Sequence, residues 1–162
     1  MNLTYLILGS NSTDKEDILV RAIALLEERL GKVSGKSSIY ETAAWGYHSE
    51  NVYHNQVLIL ETTHSTLETL HITQKIEKQL GRTRKSIKGS YADRPIDIDI
   101  LFYATKVVNL PELTIPHPHI CVRRFVLEPL CEVIPDFSHP TKGKTISQLL
   151  EICEDTLAVK KL

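Results

Sequence analysis

The chain has 162 residues, which suits one domain, spanning 1–162, better than two. Hydrophobic residues make up 42% and charged residues 24%, a globular composition that excludes disorder. Nineteen basic against twenty acidic side chains leave a net charge of -1, so bulk attraction to nucleic acid or membrane is excluded and any work on polyanions falls to a local patch.

In chain order, Leu3 to Leu8 reads as a strand closed by a Gly9-Ser10-Asn11 turn. Asp14 to Leu30 is helical, with Ile18, Ala22 and Leu26 on one stripe and Gly31 as the stop. Lys32 to Thr42 forms a second strand, and Ala43 to Val52 an irregular loop carrying Trp45. Tyr53 to Thr62 is a strand. Ser65 and Glu68 fit a capping box, so a helix starts there and runs to Leu80. Residues 82–95 are basic and poor in aliphatic side chains: Arg82, Arg84, Lys85, Lys88 and Arg94 face only Asp93. Ile96 to Phe102 alternates as a strand. The β-α-β-β-α-β order is the ferredoxin-like arrangement, an α+β fold with an antiparallel sheet. The remainder adds a short strand at Val107-Val108, a turn at Pro116 and Pro118, and helices over Arg123 to Cys131 and Thr145 to Cys153. No apolar run nears the roughly 18 residues of a membrane span. The start lacks a basic stretch and turns polar at Ser10, so no signal peptide is expected. Cys121, Cys131 and Cys153 lack paired spacing and read as reduced cysteines of a cytoplasmic protein.

Asp97 and Asp99 are the sharpest chemical signal. Alternation sends both carboxylates to one face of a strand, about 7 Å apart between Cα atoms, with Ile96, Ile98 and Ile100 on the other. Like charges that close need a cation between them, and magnesium with substrate phosphate would serve. The bland alternative is a solvated strand face. The preceding arginine-rich loop favours the metal–phosphate reading, because guanidinium forks suit phosphate oxygens. A loop with little apolar surface and mutually repelling charges is expected to act as a lid closed by a bound phosphate. No P-loop motif occurs.

Other groups are weaker. Gln74 and Glu77 share a helix face and either bind nucleotide or lie on plain surface. Tyr53 and Asn55 alternate at a strand start, where they either read a flat heterocycle or half-fill a strand end. His117 and His119 resemble a ligand pair but lack a third zinc ligand, which weakens the zinc reading, and contact with phosphate is an equal alternative. Arg123 and Arg124 either extend the basic rim or merely begin a helix.

Eight motifs follow one another along the chain: Leu8-Gly9-Ser10-Asn11, Tyr40-Glu41-Thr42, Tyr53-His54-Asn55, Gln74-Lys75-Ile76-Glu77, Gly81-Arg82-Thr83-Arg84, Arg94-Pro95-Ile96-Asp97-Ile98-Asp99-Ile100, Pro116-His117 and Arg123-Arg124-Phe125. Taken together they resemble the 6-hydroxymethyl-7,8-dihydropterin pyrophosphokinase family over nearly the whole chain. The resemblance implies a three-layer α/β/α fold and diphosphate transfer from the co-substrate ATP to the pterin hydroxymethyl group, with release of AMP. It implies that Asp97 and Asp99 hold two magnesium ions. Thr42 and Asn55 would meet the pterin's polar edge, with Tyr53 and Phe125 sandwiching its ring. Gln74, Glu77, Arg84, Tyr91, Arg94, Ile100, Thr114, His117 and Arg123 would line the ATP site. Arg82 and Arg94 would act catalytically with the two aspartates. The partners are then small molecules, ATP and the pterin, with neither nucleic acid nor membrane, and the chain a monomer.

This sequence departs from the family at Ala43 and Ala44, where a proline is usual, and at Glu112 and Pro118, where an arginine and an aromatic are usual. An RNA-recognition-like module shares the element order and is the alternative, with Lys88 to Ala92 echoing its motif. The carboxylates of Asp97 and Asp99 would repel RNA from that face.

Overall fold

Alternation in the first strand dictates the layering. In β1 (Asn2–Ser10) Leu6 and Leu8 face one side and Tyr5 and Ile7 the other, and all four are buried. A strand buried on both faces must lie inside a sheet covered on both sides. The computed structural model describes residues 1–43, 52–82 and 95–162, Arg82 by its main chain only. The expected lid therefore lies almost wholly outside the described residues, as do Ala44 and Trp45.

β1 pairs antiparallel with β4 (Tyr53–Thr62) and with β5 (Asp97–Tyr103). The single strand expected over Lys32 to Thr42 is two: β2 (Gly31–Lys36) and β3 (Tyr40–Thr42) share one edge of β4. Polar bonding at Ser37 makes the break. Val57 N donates to Ser37 Oγ at 2.9 Å, and Gln56 Nε2 donates to the Ser37 carbonyl at 2.8 Å. β8 (Val159–Lys161), which the sequence does not announce, closes the far edge on β3.

α1 (Lys15–Arg29) and α2 (Thr66–Glu77) cover one face, burying Ile18, Ala22, Leu26 and Ile76 against Leu6, Leu8, Leu58, Ile98 and Ile100. α3 (Arg124–Val133) and α4 (Ile146–Glu151) cover the other, burying Val126, Leu130 and Leu149 against Tyr5, Ile7, Val57, Leu101 and Phe102. Each large aliphatic side chain so buried contributes about 1.5–3 kcal/mol. The expected three layers and β-α-β-β-α-β core are present.

The predicted capping box is formed: Glu68 N donates to Ser65 Oγ at 3.1 Å and Ser65 N to Glu68 Oε1 at 2.8 Å. α2 runs into a π-helical turn, Lys78–Arg82, that stops at Gly81, whose φ of 110° favours glycine. A second capping box, Thr145 with Gln148, starts α4, which ends earlier than expected, at Glu151. The short strand expected near Val108 becomes a hairpin of β6 (Val108–Leu110) and β7 (Leu113–Ile115). In β5 the alternation holds only as far as Ile100. Tyr5 then pairs with Phe102, Leu101 is the extra residue of a bulge, and Leu101 and Phe102 both join the α3 side. Among the described residues no helix is long and apolar enough to cross a membrane.

Candidate active site

Register brings distant motifs into one row. Tyr40, Asn55, Gly9 and Asp97 are successive partners across β3, β4, β1 and β5. Facing partners in an antiparallel sheet project from the same side, so Asn55 and Asp97 stand on the α3 face with Gly9 between them. Asn55 Nδ2 donates to Thr42 Oγ1 at 3.2 Å, and both residues are buried. A Cβ at Gly9 would lie 2.8 Å from Asn55 Oδ1 and 3.8 Å from Tyr53 Cδ2. The glycine thus leaves an open floor beside an aromatic ring and an amide. This corrects the turn expected at Gly9-Ser10-Asn11: β1 continues through Ser10, Ser10 and Asn11 are fully buried, and the chain turns at Ser12. A glycine inside a strand signals close approach as readily as a turn, and that was the available clue.

Asp97 is half-buried and Asp99 exposed, on the face opposite Ile96, Ile98 and Ile100, as alternation requires. Glu77 reaches from the end of α2 to accept a 2.7 Å hydrogen bond from Ile98 N, fastening the outer edge of β5 between the two aspartates. Gln74, one turn earlier, is exposed. Ile100 is buried among the α1–α2 core residues, so any part it plays toward a nucleotide comes from its main chain. Thr114 is exposed on β7.

Above this row sits the start of α3. The Arg123 guanidinium lies over the Phe125 ring at 5.6 Å. Burial lowers the Arg123 pKa, while Asp99 pushes it back up. Arginine remains charged at any physiological pH, so a fixed cation stands near Asp99. Arg124 does different work. It donates to Asp155 through its main-chain N and its Nε, each at 2.9 Å, and so ties the C-terminal segment to α3 instead of extending a basic rim.

His117 is neutral at pH 7. Burial, with Arg123 and His119 adding to it, pushes its pKa down to about 4. Its Nδ1 accepts from His119 N at 3.1 Å, which leaves Nε2 carrying the ring proton as a donor. Arg84, Tyr91 and Arg94 lie outside the described residues, and Arg82 is placed by main chain alone.

Among the described residues no group of three or more His, Cys, Asp and Glu gathers as a metal cage. Asp97 and Asp99 offer hard oxygen donors and an incomplete shell. That donor set fits magnesium, which keeps waters and takes up substrate phosphates. The layering speaks against the RNA-recognition alternative: helices cover both faces of the sheet, so the described residues present no broad exposed sheet face for stacking bases.

Carboxylates, a fixed guanidinium and a glycine floor between an aromatic and an amide form a site suited to a phosphate-bearing substrate beside a flat heterocycle. Comparisons with known proteins show the family. The family model described as 7,8-dihydro-6-hydroxymethylpterin-pyrophosphokinase (HPPK) matches residues 5–135. A Porphyromonas gingivalis 2-amino-4-hydroxy-6-hydroxymethyldihydropteridine pyrophosphokinase is 45% identical over 86% of this chain and 95% of its own. The Bacillus subtilis protein of the same name is 39% identical over 82% and 78%. The crystal structure of wild-type Plasmodium falciparum HPPK-DHPS superposes over 93% of this chain with a TM-score of 0.73 at 19% identity, which supports the fold. This chain covers 44% of that longer one. The chain belongs to the HPPK family.

Proposed function

We infer that this chain transfers diphosphate from ATP to the hydroxymethyl group of 6-hydroxymethyl-7,8-dihydropterin and releases AMP, in folate biosynthesis. It acts as a cytoplasmic monomer, with residues 1–162 as a single domain. Family membership supports the reaction. The observation that carries the site is the row Asn55–Gly9–Asp97, which sets a heterocycle floor beside the carboxylate pair.

In this reading Asn55 and Thr42 hydrogen-bond the pterin's polar edge, and Tyr53 and Phe125 hold its ring. Gln74, Glu77, Arg84, Tyr91, Ile100 and Thr114 line the nucleotide. Asp97 and Asp99 would hold two magnesium ions, which would neutralise phosphate charge and favour ionisation of the pterin hydroxyl. Arg123 and the His117 Nε2 proton donate to phosphate oxygens, and Arg82 and Arg94 supply positive charge to the transferring group. The pterin oxygen bonds to the β-phosphorus as the bond from that phosphorus to the α–β bridging oxygen breaks. AMP departs with that oxygen, and the hydroxyl proton passes to solvent. No side chain acts as a strong base, because positioning and charge neutralisation carry such a transfer.

The test is product analysis with ATP, Mg²⁺ and the reduced pterin. AMP and pterin diphosphate in equal amounts are expected. ADP as the product overturns diphosphate transfer.

A further inference from the structure

The strands that hold the pterin residues carry a second pair on their underside. His54 and Glu41 are direct register partners in β3–β4. Tyr53 and Asn55 flank His54 in sequence, and Tyr40 and Thr42 flank Glu41. Because side chains alternate across a strand, Tyr53, Asn55 and Thr42 face the site while His54 and Glu41 face away from it. His54 Nε2 lies 3.3 Å from Glu41 Oε1, with the imidazole 6% and the carboxylate 34% exposed.

The position of this pair matters because β3 is so short. Three residues give three register steps with β4, and His54–Glu41 is the middle one. The last step, Thr42 opposite Tyr53, carries the hydroxyl that accepts from Asn55 Nδ2. β8 backs all three positions of β3 through the main chain, but on the β4 side a strand this short has few bonds to resist fraying from its end, and a side-chain tie next to the last step adds to them. Packing does not account for the histidine. Its Nδ1 is buried with no hydrogen-bond partner among the described residues, and an unsatisfied buried polar atom is costly. A leucine would fill the same space without that cost.

We propose that His54 and Glu41 are a positioning pair, which holds β3 in register and so fixes Thr42 against Asn55 and Tyr53. The pair touches no substrate. It sets affinity for the heterocycle and leaves the transfer rate alone. The inference rests on the functional reading above and extends it to the opposite side of the sheet.

The experiment measures binding of 6-hydroxymethylpterin and of ATP by calorimetry, with steady-state kinetics, for wild type, His54→Leu, His54→Gln and Glu41→Ala. Loss of one side-chain hydrogen bond predicts a rise of about five- to tenfold in pterin Kd and KM for His54→Leu. ATP affinity and kcat should stay within about twofold. Glu41 is partly exposed, so Glu41→Ala should fold and show the same loss even if His54→Leu does not fold. The double variant should lose no more than either single one. His54→Gln keeps a donor toward Glu41 and should recover most of the affinity. Unchanged pterin affinity in both single variants, or equal losses for pterin and ATP, overturns the proposal. If the wild type binds no pterin, the functional reading itself falls, an outcome distinct from a wild type that binds and variants that bind equally well.

Discussion

Gly9→Ala is the most direct perturbation of the site. The new Cβ would stand 2.8 Å from Asn55 Oδ1, about 0.6 Å inside ordinary contact, while Tyr53 Cδ2 at 3.8 Å is comfortable. The amide must therefore retreat by about half an ångström or rotate, and its 3.2 Å bond to Thr42 stretches or breaks. Displacing or losing that bonded pair costs about 1–3 kcal/mol. Stability alone will not reveal this, because replacing glycine by alanine at an ordinary φ stabilises by about 0.4–1 kcal/mol through the unfolded chain. The two effects partly cancel in the unfolding free energy, but only the first enters pterin binding. Pterin affinity should fall by about five- to 150-fold, with ATP affinity within about twofold and the unfolding free energy lowered by less than the loss in pterin binding. The assay is calorimetry with each ligand separately, alongside a urea titration. A pterin Kd within twofold of wild type refutes the claim that Gly9 is the floor of the heterocycle site. Equal weakening of both ligands would show a general distortion instead.

Asp97→Asn and Asp99→Asn keep shape and remove charge, so both should fold and lose turnover by orders of magnitude; near-normal turnover at limiting Mg²⁺ would mark the pair as a solvated face. Phe125→Ala should weaken pterin binding by about 0.5–1.5 kcal/mol beyond area burial while ATP binding holds, and equal calorimetric losses would contradict the ring's assignment. His117 has a folded pKa of about 4 against an ordinary 6.5. Between those values only the unfolded chain takes up the proton, so stability should fall by up to about 3 kcal/mol as pH drops from 6.5 to 4. Buried His139, also shifted down, adds in the same direction. Chemical denaturation across that range checks the slope, which His117→Gln should flatten.

Much of this protein is legible in local pattern. The Tyr53–Thr62 strand, the Ser65–Glu68 capping box and the Asp97–Asp99 spacing are each set within a few residues, and each is found as read. These features obey backbone geometry that neighbours in sequence enforce by themselves. Pairing obeys no such rule. That Gly9 lies between Asn55 and Asp97 depends on the register of three strands, and a one-residue slip would turn every one of those side chains to the other face. The bulge at Leu101 ends the alternation because the α3 side of the sheet must receive both Leu101 and Phe102. The two adjacent arginines look equivalent in sequence, yet helix direction turns Arg123 toward Asp99 and Arg124 toward Asp155. His54 and Glu41 sit inside recognisable motifs, but their meeting follows from a pairing between residues 13 apart. The sequence by itself determined which elements form and which chemistry they carry; the tertiary structure decided which side chains meet, because register and burial are settled only when distant strands compete for the same core.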